Sequence, residues 1–198
     1  MTAKRVFDIF IAVVVLIMLS PLLFCLTIII ACLDGFPMLY FGWRAGRDGL
    51  PFRIIKFRTM IPDAEYRGGA ETPSDDPRVT RIGRLLRRYK LDELPQFFNV
   101  LRGDMSIVGP RPEVLEEVAR YGSWGRELLS VRPGITDWAS IKFRHEGDLL
   151  CGVSDPHETY KRIIQPEKIR LGIRYARERS MKTDLSIIFK TIVAVVAD

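Results

Sequence analysis

Hydrophobic and polar positions divide this chain into three regimes. Ile9 to Leu33 is a run of 25 residues without a charge. Leu39-Tyr40-Phe41 and Phe52 to Phe57 have the apolar, β-branched and aromatic character of strands. Gly46-Arg47-Asp48-Gly49 between them supplies a hairpin turn. Phe52, Ile54, Lys56 and Arg58 share one face of the second strand, so two basic side chains end an apolar row. Thr59 to Val79 is rich in Pro, Gly, Asp and Glu and predicts a surface loop. Apolar residues then recur at helical spacing. Ile82, Leu85, Leu86 and Tyr89 form one face of an amphipathic helix over Thr80 to Leu91, and Leu94, Phe97, Phe98 and Leu101 form a second set that Gly103 closes. Trp138 to Pro166 is mixed and polar, which predicts a loop with short helices. Helices follow at Pro166 to Glu178 and at Leu185 to Val196, the latter with Asp184 as its cap.

The apolar run is long enough to cross a bilayer. As one straight helix, 25 residues would extend about 37 Å against a hydrocarbon core of about 30 Å. Ser20-Pro21 sits near its middle, where proline removes a helix hydrogen bond and crowds the preceding turn. Basic residues flank both sides, Lys4 and Arg5 before and Arg44 and Arg47 after, so no positive-inside asymmetry selects an orientation. A bend would leave two arms of roughly 18 Å, each too short to cross, with both ends on one face. The backbone freed there would need a partner such as the Ser20 hydroxyl. From the residues alone, a single crossing and a re-entrant hairpin are equally compatible. A cleavable signal peptide fits poorly, because the run exceeds an ordinary h-region and lacks a small-x-small site.

The net charge is +6, carried almost wholly outside the apolar run. A basic globular part suits anionic lipid, nucleotide or nucleic acid. The three cysteines, Cys25, Cys32 and Cys151, show no paired or zinc spacing, which points to a reducing compartment. No internal repeat, glycine-rich nucleotide loop or heptad run is present. The basic helix lacks aromatic interleaving or a groove-reading motif, which argues against nucleic acid.

Candidate chemistry centres on Asp92-Glu93, adjacent carboxylates placed where a helix should begin, with Asp92 as N-cap and Pro95 in the first turn. Such an N-terminus favours carboxylate and phosphate. Arg81, Arg84, Arg87, Arg88 and Lys90 lie just upstream. Arg87 and Arg88, nearest the dyad, are the candidates to hold a substrate phosphate, while the others suit lipid headgroups. Arg111 stands between Pro110 and Pro112, on a backbone stiffened from both sides, which suits bidentate contact with phosphate. Carboxylates among basic groups point to phosphate chemistry assisted by a metal. Mg²⁺ suits such oxygens, with Asp92 as its ligand.

Taken together, Lys4-Arg5 with the apolar segment and Ser20-Pro21, Ile55-Lys56-Phe57-Arg58-Thr59-Met60, Leu91-Asp92-Glu93-Leu94-Pro95-Gln96, Gly103-Asp104-Met105-Ser106, Gly109-Pro110-Arg111-Pro112 and Val131-Arg132-Pro133-Gly134-Ile135-Thr136 resemble the small monotopic phosphoglycosyl transferases, the bacterial sugar transferase family. The resemblance implies a helix-dominated α/β protein. Residues 1–36 would form a re-entrant membrane helix broken at Ser20-Pro21, and residues 37–198 a catalytic domain on the cytoplasmic face of the bacterial inner membrane. It implies transfer of a sugar-1-phosphate from a UDP-sugar to polyprenol phosphate, with release of UMP and Mg²⁺ as cofactor. Asp92 maps to the family's nucleophile and Glu93 to its assistant. Lys56, Arg87, Pro110, Arg111 and Arg144 map to substrate-binding positions.

Two departures stand out. Members often follow Pro-Gly-Ile-Thr with Gly-Leu-Ala-Gln-Val-Asn-Gly-Arg, where this chain has Asp137-Trp138-Ala139-Ser140-Ile141-Lys142-Phe143-Arg144. Members also commonly carry an aspartate before the aromatic residue of the penultimate helix, where this chain has Gly172 before Tyr175. The second departure leaves open a non-catalytic, membrane-attached module that binds nucleotide sugars or anionic lipid. The sugar and the choice between monomer and homodimer are not encoded in any motif.

Overall fold

The computed structural model describes residues 2–67 and 72–196. Residues 68–71, part of the predicted surface loop, lie outside the described residues. The chain opens with α1 (Ala3–Leu33), a 31-residue helix capped by the Thr2 hydroxyl. Strands β1 (Leu39–Ala45) and β2 (Pro51–Phe57) follow as an antiparallel hairpin. The 3₁₀ turn Arg47–Gly49 joins them, and Asp48 and Gly49 there adopt positive φ. A single bridge between Met60 and Val79 closes the loop that comes next. Then come α2 (Arg81–Arg88), α3 (Gln96–Arg102) and β3 (Ser106–Val108). Two short helices, α4 (Leu115–Ala119) and α5 (Ser123–Leu128), lead to β4 (Gly134–Thr136), which pairs parallel with β3.

The polar segment predicted as loop with short helices is α6 (Trp138–Lys142), α7 (Glu146–Leu149) and α8 (Pro156–Thr159). Last come α9 (Gln165–Glu178) and α10 (Met181–Val196). Helices dominate, as the sequence predicts, and the strands form two small sheets, of which the sequence predicts only the β1–β2 hairpin. Asp184 differs from expectation. It sits inside the first turn of α10 and is buried, bonded to Lys4 and Tyr175 rather than capping the helix.

α1 does not break at Ser20-Pro21. It runs through Pro21 as one helix. What proline removes is the N–H that would have bonded the Ile17 carbonyl. The Ser20 hydroxyl donates to that carbonyl instead, at 2.8 Å. The interruption is therefore a substituted hydrogen bond rather than a gap between two helices.

α1 is fastened near its two ends only. Ala12 joins a core cluster with Phe52, Ile54, Val100, Met105, Val108 and Ile187. Leu26 and Ile30 join a smaller cluster with Phe57 and Leu86. No residue between 13 and 25 is buried, and Ile17, Met18 and Phe24 stand about two-thirds or more exposed (69, 73 and 68%). A water-soluble protein rarely leaves so continuous an apolar surface bare. α10 shows a related asymmetry. Ile187 is buried, while Leu185, Phe189, Ile192 and Val193 face outward.

Candidate active site

The hairpin carries Lys56 to the end of the β2 face whose earlier members, Phe52 and Ile54, enter the larger core cluster. Arg58, on the same face, goes elsewhere. Its guanidinium donates to the carbonyls of Asp34 and Gly35 and so caps the end of α1. α2 begins where Thr80 accepts from the Gly83 amide, and it ends with Arg87 and Arg88 in its last turn. A residue with a side chain at position 83 would collide with the Thr59 backbone, which is why α2 can lie against the strand exit. Arg87 Nε donates to Thr59 Oγ1 at 2.9 Å.

The dyad does not cap a helix. Leu91–Glu93 forms a separate 3₁₀ turn entered through Lys90 at positive φ, and α3 begins only at Gln96, with Pro95 at its N-cap. A helix running on from Leu91 would need the residue-95 N–H to bond the Leu91 carbonyl, and proline has none, whereas a helix capped by Asp92 would leave that N–H without an acceptor in any case. The Leu94 amide bonds the Leu91 carbonyl instead, closing the tighter turn. At seven residues α3 is also too short to support the helix-dipole argument for an anion. Its stop at Gly103, φ 97°, is as predicted.

The tight turn sends the two carboxylates to different partners. Glu93 Oε1 accepts from Lys56 Nζ at 2.8 Å and from Arg111 Nη2 at 2.9 Å, so one oxygen holds two cations. Asp92 is equally buried, but its Oδ1 has no hydrogen-bond partner among the described residues. The electrostatics follow this split. Burial works against ionisation of Glu93, yet Arg111 and Lys56 outweigh it and hold its carboxyl well below the ordinary range. Burial, and then the charge of Glu93, push the Asp92 carboxyl up, while Lys56, Arg87 and Lys90 pull only part of the way back. Lys56 is lowered by burial, with Glu93 opposing. Glu93 raises Arg111.

Arg111 leaves β3 through Gly109-Pro110, and its side chain is 43% exposed. Gly109 and Gly134 pack backbone to backbone, so a Cβ on either would strike the other strand's chain. Pro110 packs beside Gly172, where an added Cβ would meet Leu128 Cδ1 at 2.5 Å and Pro110 Cβ at 3.3 Å. An aspartate at position 172 would have to displace the end of the Leu128 side chain. Arg144 lies half-buried on the turn between α6 and α7, two residues before Glu146, whose charge acts on Arg111.

Predicted residues Lys56, Glu93 and Arg111 are therefore in direct contact, with Asp92 and Arg87 in electrostatic reach. Sequence reasoning missed several neighbours. Asn99 is fully buried; its Oδ1 accepts from the Ile55 amide at 2.9 Å and its Nδ2 donates to the Arg53 carbonyl at 2.7 Å, pinning α3 to β2. Asp137 caps α6 through the Ser140 amide, and burial raises its carboxyl despite nearby Arg111 and Lys168. The Asp-x-x-Ser spacing was the only sequence signal for it. Burial also raises Glu113, two residues past Arg111.

Asp92 Oδ1 is a hard, unpaired oxygen donor, and the 3₁₀ turn sets it among phosphate-attracting cations. No cluster of three or more His, Cys, Asp or Glu that could cage an ion exists among the described residues. That donor set fits Mg²⁺, which keeps several waters and binds through one or two carboxylates plus substrate phosphates.

Comparison with known proteins returns a consistent result. The family model described as bacterial sugar transferase matches residues 1–198. A UDP-glucose:undecaprenyl-phosphate glucose-1-phosphate transferase of Escherichia coli is 36% identical over 96% of this chain and 39% of its own length. A UDP-N-acetylgalactosamine-undecaprenyl-phosphate N-acetylgalactosaminephosphotransferase of Aeromonas hydrophila is 37% identical over 96% of this chain and 42% of its own length. The exopolysaccharide production protein ExoY of Sinorhizobium fredii is 36% identical over 98% of this chain and 85% of its own length. The chain thus spans about two-fifths of two of these relatives and most of the third.

Proposed function

The chain belongs to the bacterial sugar transferase family, and on that premise we propose that it moves a sugar-1-phosphate from a UDP-sugar to polyprenol (undecaprenyl) phosphate through a covalent intermediate on Asp92. The observation that carries this reading is the split of the dyad: Glu93 is committed to Lys56 and Arg111, while Asp92 Oδ1 has no partner. An uncommitted, buried carboxylate oxygen beside cations is the better nucleophile of the two.

In the first displacement an Asp92 oxygen attacks the phosphorus that bears the sugar. The bond from that phosphorus to the bridging oxygen breaks, and UMP leaves with that oxygen. In the second, a phosphate oxygen of the polyprenol phosphate attacks the same phosphorus. The acyl phosphate bond breaks, and Asp92 returns as carboxylate while a polyprenyl diphosphosugar departs. Arg111 and Lys56, both fixed on Glu93, present positive charge to the transferring group and require no reorganisation to do so. Arg87 and Arg144 add charge for the nucleotide phosphates, and Pro110 holds Arg111 stiffly. Mg²⁺, held by Asp92 and substrate phosphates, would supply charge neutralisation between carboxylate and diphosphate.

The membrane arrangement follows from where α1 is fastened. Both ends grip one globular domain and the apolar middle is bare, which supports a helix that dips into the cytoplasmic leaflet and returns. A bend at Pro21 within the continuous helix would accomplish this, because the Ser20 hydroxyl satisfies the freed carbonyl. The outward apolar face of α10 belongs at the same interface.

The test is UMP release from a panel of UDP-sugars by purified protein in the presence of polyprenol phosphate, with and without Mg²⁺. Asp92→Asn should remain folded and membrane-bound and release none. Radiolabelled donor should leave an adduct on residue 92. Product formation without that adduct would defeat the mechanism, and absence of UMP release with any donor would defeat the activity.

A further inference from the structure

We propose that Asp8, at the foot of the membrane helix, is a positioning residue that holds β3, and through it Arg111, in register with the Asp92–Glu93 turn. The inference rests on the reading of the site given above. Asp8 is the one acidic residue of α1 and is 2% exposed. Both its oxygens are used on one three-residue strand. Oδ2 accepts from Ser106 Oγ at 2.9 Å, and Oδ1 accepts from the Ile107 amide at 3.2 Å. Ser106 and Val108 pair with β4, so the Ile107 amide points the other way and has no strand to bond. Asp8 supplies the acceptor that a third strand would otherwise provide.

The next residue is held by the same assembly. The Val108 carbonyl lies 2.9 Å from the Tyr175 hydroxyl, which is also 2.7 Å from Asp184 Oδ1. Asp184 Oδ2 in turn accepts from Lys4 Nζ at 2.7 Å, one helical turn before Asp8. The circuit Asp8, β3, Tyr175, Asp184, Lys4 thus closes back on α1. Arg111 follows β3 by three residues across the tight Gly109–Gly134 crossing, which leaves little slack between strand and guanidinium.

Arg5 holds the other half of the site. Its guanidinium donates to the Val100 carbonyl at 2.6 Å and the Leu101 carbonyl at 3.0 Å, at the end of the helix that follows the dyad. Residues 4, 5 and 8 share one helix face. One turn of α1 therefore grips both the strand that leads to Arg111 and the helix that follows Glu93, the two partners of a 2.9 Å bond. Packing alone would not need this. An apolar residue at position 8 would bury as well without two directed hydrogen bonds.

Asp8→Asn in the full chain, reconstituted in lipid nanodiscs, tests the inference. Displacing the arginine by about 1 Å should lower kcat by about 100-fold. KM for the UDP-sugar should change by less than about threefold, because the exposed end of Arg111 still meets donor phosphate. Amide exchange over residues 104–112 should rise about tenfold, with the 39–57 hairpin unchanged. Ile187→Ala, in the same core but outside the circuit, serves as control; at a comparable loss of thermal stability it should keep kcat within about threefold. If Asp8→Asn does not fold, Ser106→Ala removes one of the two bonds and should show the same split on a smaller scale. Unchanged kcat or unchanged exchange in the variant would overturn the inference, as would an equal kcat loss in the control. A wild-type protein that turns over no donor would instead defeat the proposed function, and the exchange comparison would still read out the circuit.

Discussion

Glu93→Gln separates the two carboxylates most sharply. In the wild type one Glu93 oxygen accepts from Lys56 at 2.8 Å and Arg111 at 2.9 Å. A glutamine keeps the oxygen and the shape but removes the charge. A charge-assisted hydrogen bond is worth about 1 kcal/mol more than a neutral one. The full difference applies to Lys56, whose side chain is 17% exposed, and about half of it to Arg111 at 43%, because solvent screens the more open pair. The expected loss of stability is about 1.5 kcal/mol, or roughly 3–6 °C in the melting midpoint of a domain this size. Lys56 should also fall further below the ordinary lysine range, since Glu93 is the largest influence opposing burial there. Freed from their common anchor, the two cations no longer meet the transferring group preorganised. A loss of about 2 kcal/mol in the transition state would slow turnover about 30-fold. Thermal melts and UMP release measure the two quantities on one sample. An unchanged melt with unchanged turnover would refute the shared-anchor reading. Complete inactivity together with a wild-type adduct found on residue 93 would mean that Glu93, not Asp92, attacks.

Other outcomes follow from the same geometry. Asp92 must be ionised to attack and is raised by burial and by Glu93, so the acidic limb of the kcat/KM profile should lie above the ordinary aspartate value of about 3.9 and move down as Mg²⁺ is added. In stability the two carboxylates have opposite signs. Glu93, depressed on folding, contributes stability above about pH 4.3 that is lost as pH falls through its folded value, whereas the contribution of protonated Asp92 is present below about pH 3.9 and lost as pH rises through its folded value. Asp92→Asn should therefore melt higher than the wild type at pH 7.5, and an equal or lower midpoint would count against burial as the cause of the raised carboxyl. Asn99→Ala strands the Ile55 amide and the Arg53 carbonyl in the core and should cost about 3 kcal/mol by denaturant titration. Gly172→Asp must displace Leu128 and should cost at least about 2 kcal/mol with no gain in Mg²⁺ affinity, read by melting and metal titration.

Much of this protein was legible as sequence because the signals are local. The uncharged run, the hairpin around Asp48-Gly49, the helix that opens after Thr80 and the Gly103 stop each follow from a few adjacent residues and appear in the structure where expected. Local chemistry also pointed to the dyad and to Arg111, marked by neighbouring charges and prolines, while Lys56 was singled out by the family resemblance. The misreadings arose where two local rules competed. Asp92 has the composition of an N-cap, but Leu91–Glu93 closes as a separate 3₁₀ turn and the helix begins only at Gln96. Pro21 has the composition of a helix break, but one serine hydroxyl restores the lost bond and the helix continues.

What only the tertiary structure decided is which oxygen bonds which cation. Residue order places Asp92 and Glu93 side by side and gives them the same charge. Lys56 comes from β2 before them in the chain and Arg111 from the segment that follows β3, and both arrive at Glu93. Asp8 and Asp184 stand 176 positions apart, and neither carries any sequence sign that Lys4 and Tyr175 link them behind β3. Backbone propensity is a property of neighbours and can be read along the chain. A carboxylate's partners, and hence its protonation and its chemistry, depend on the distances that packing sets between remote segments.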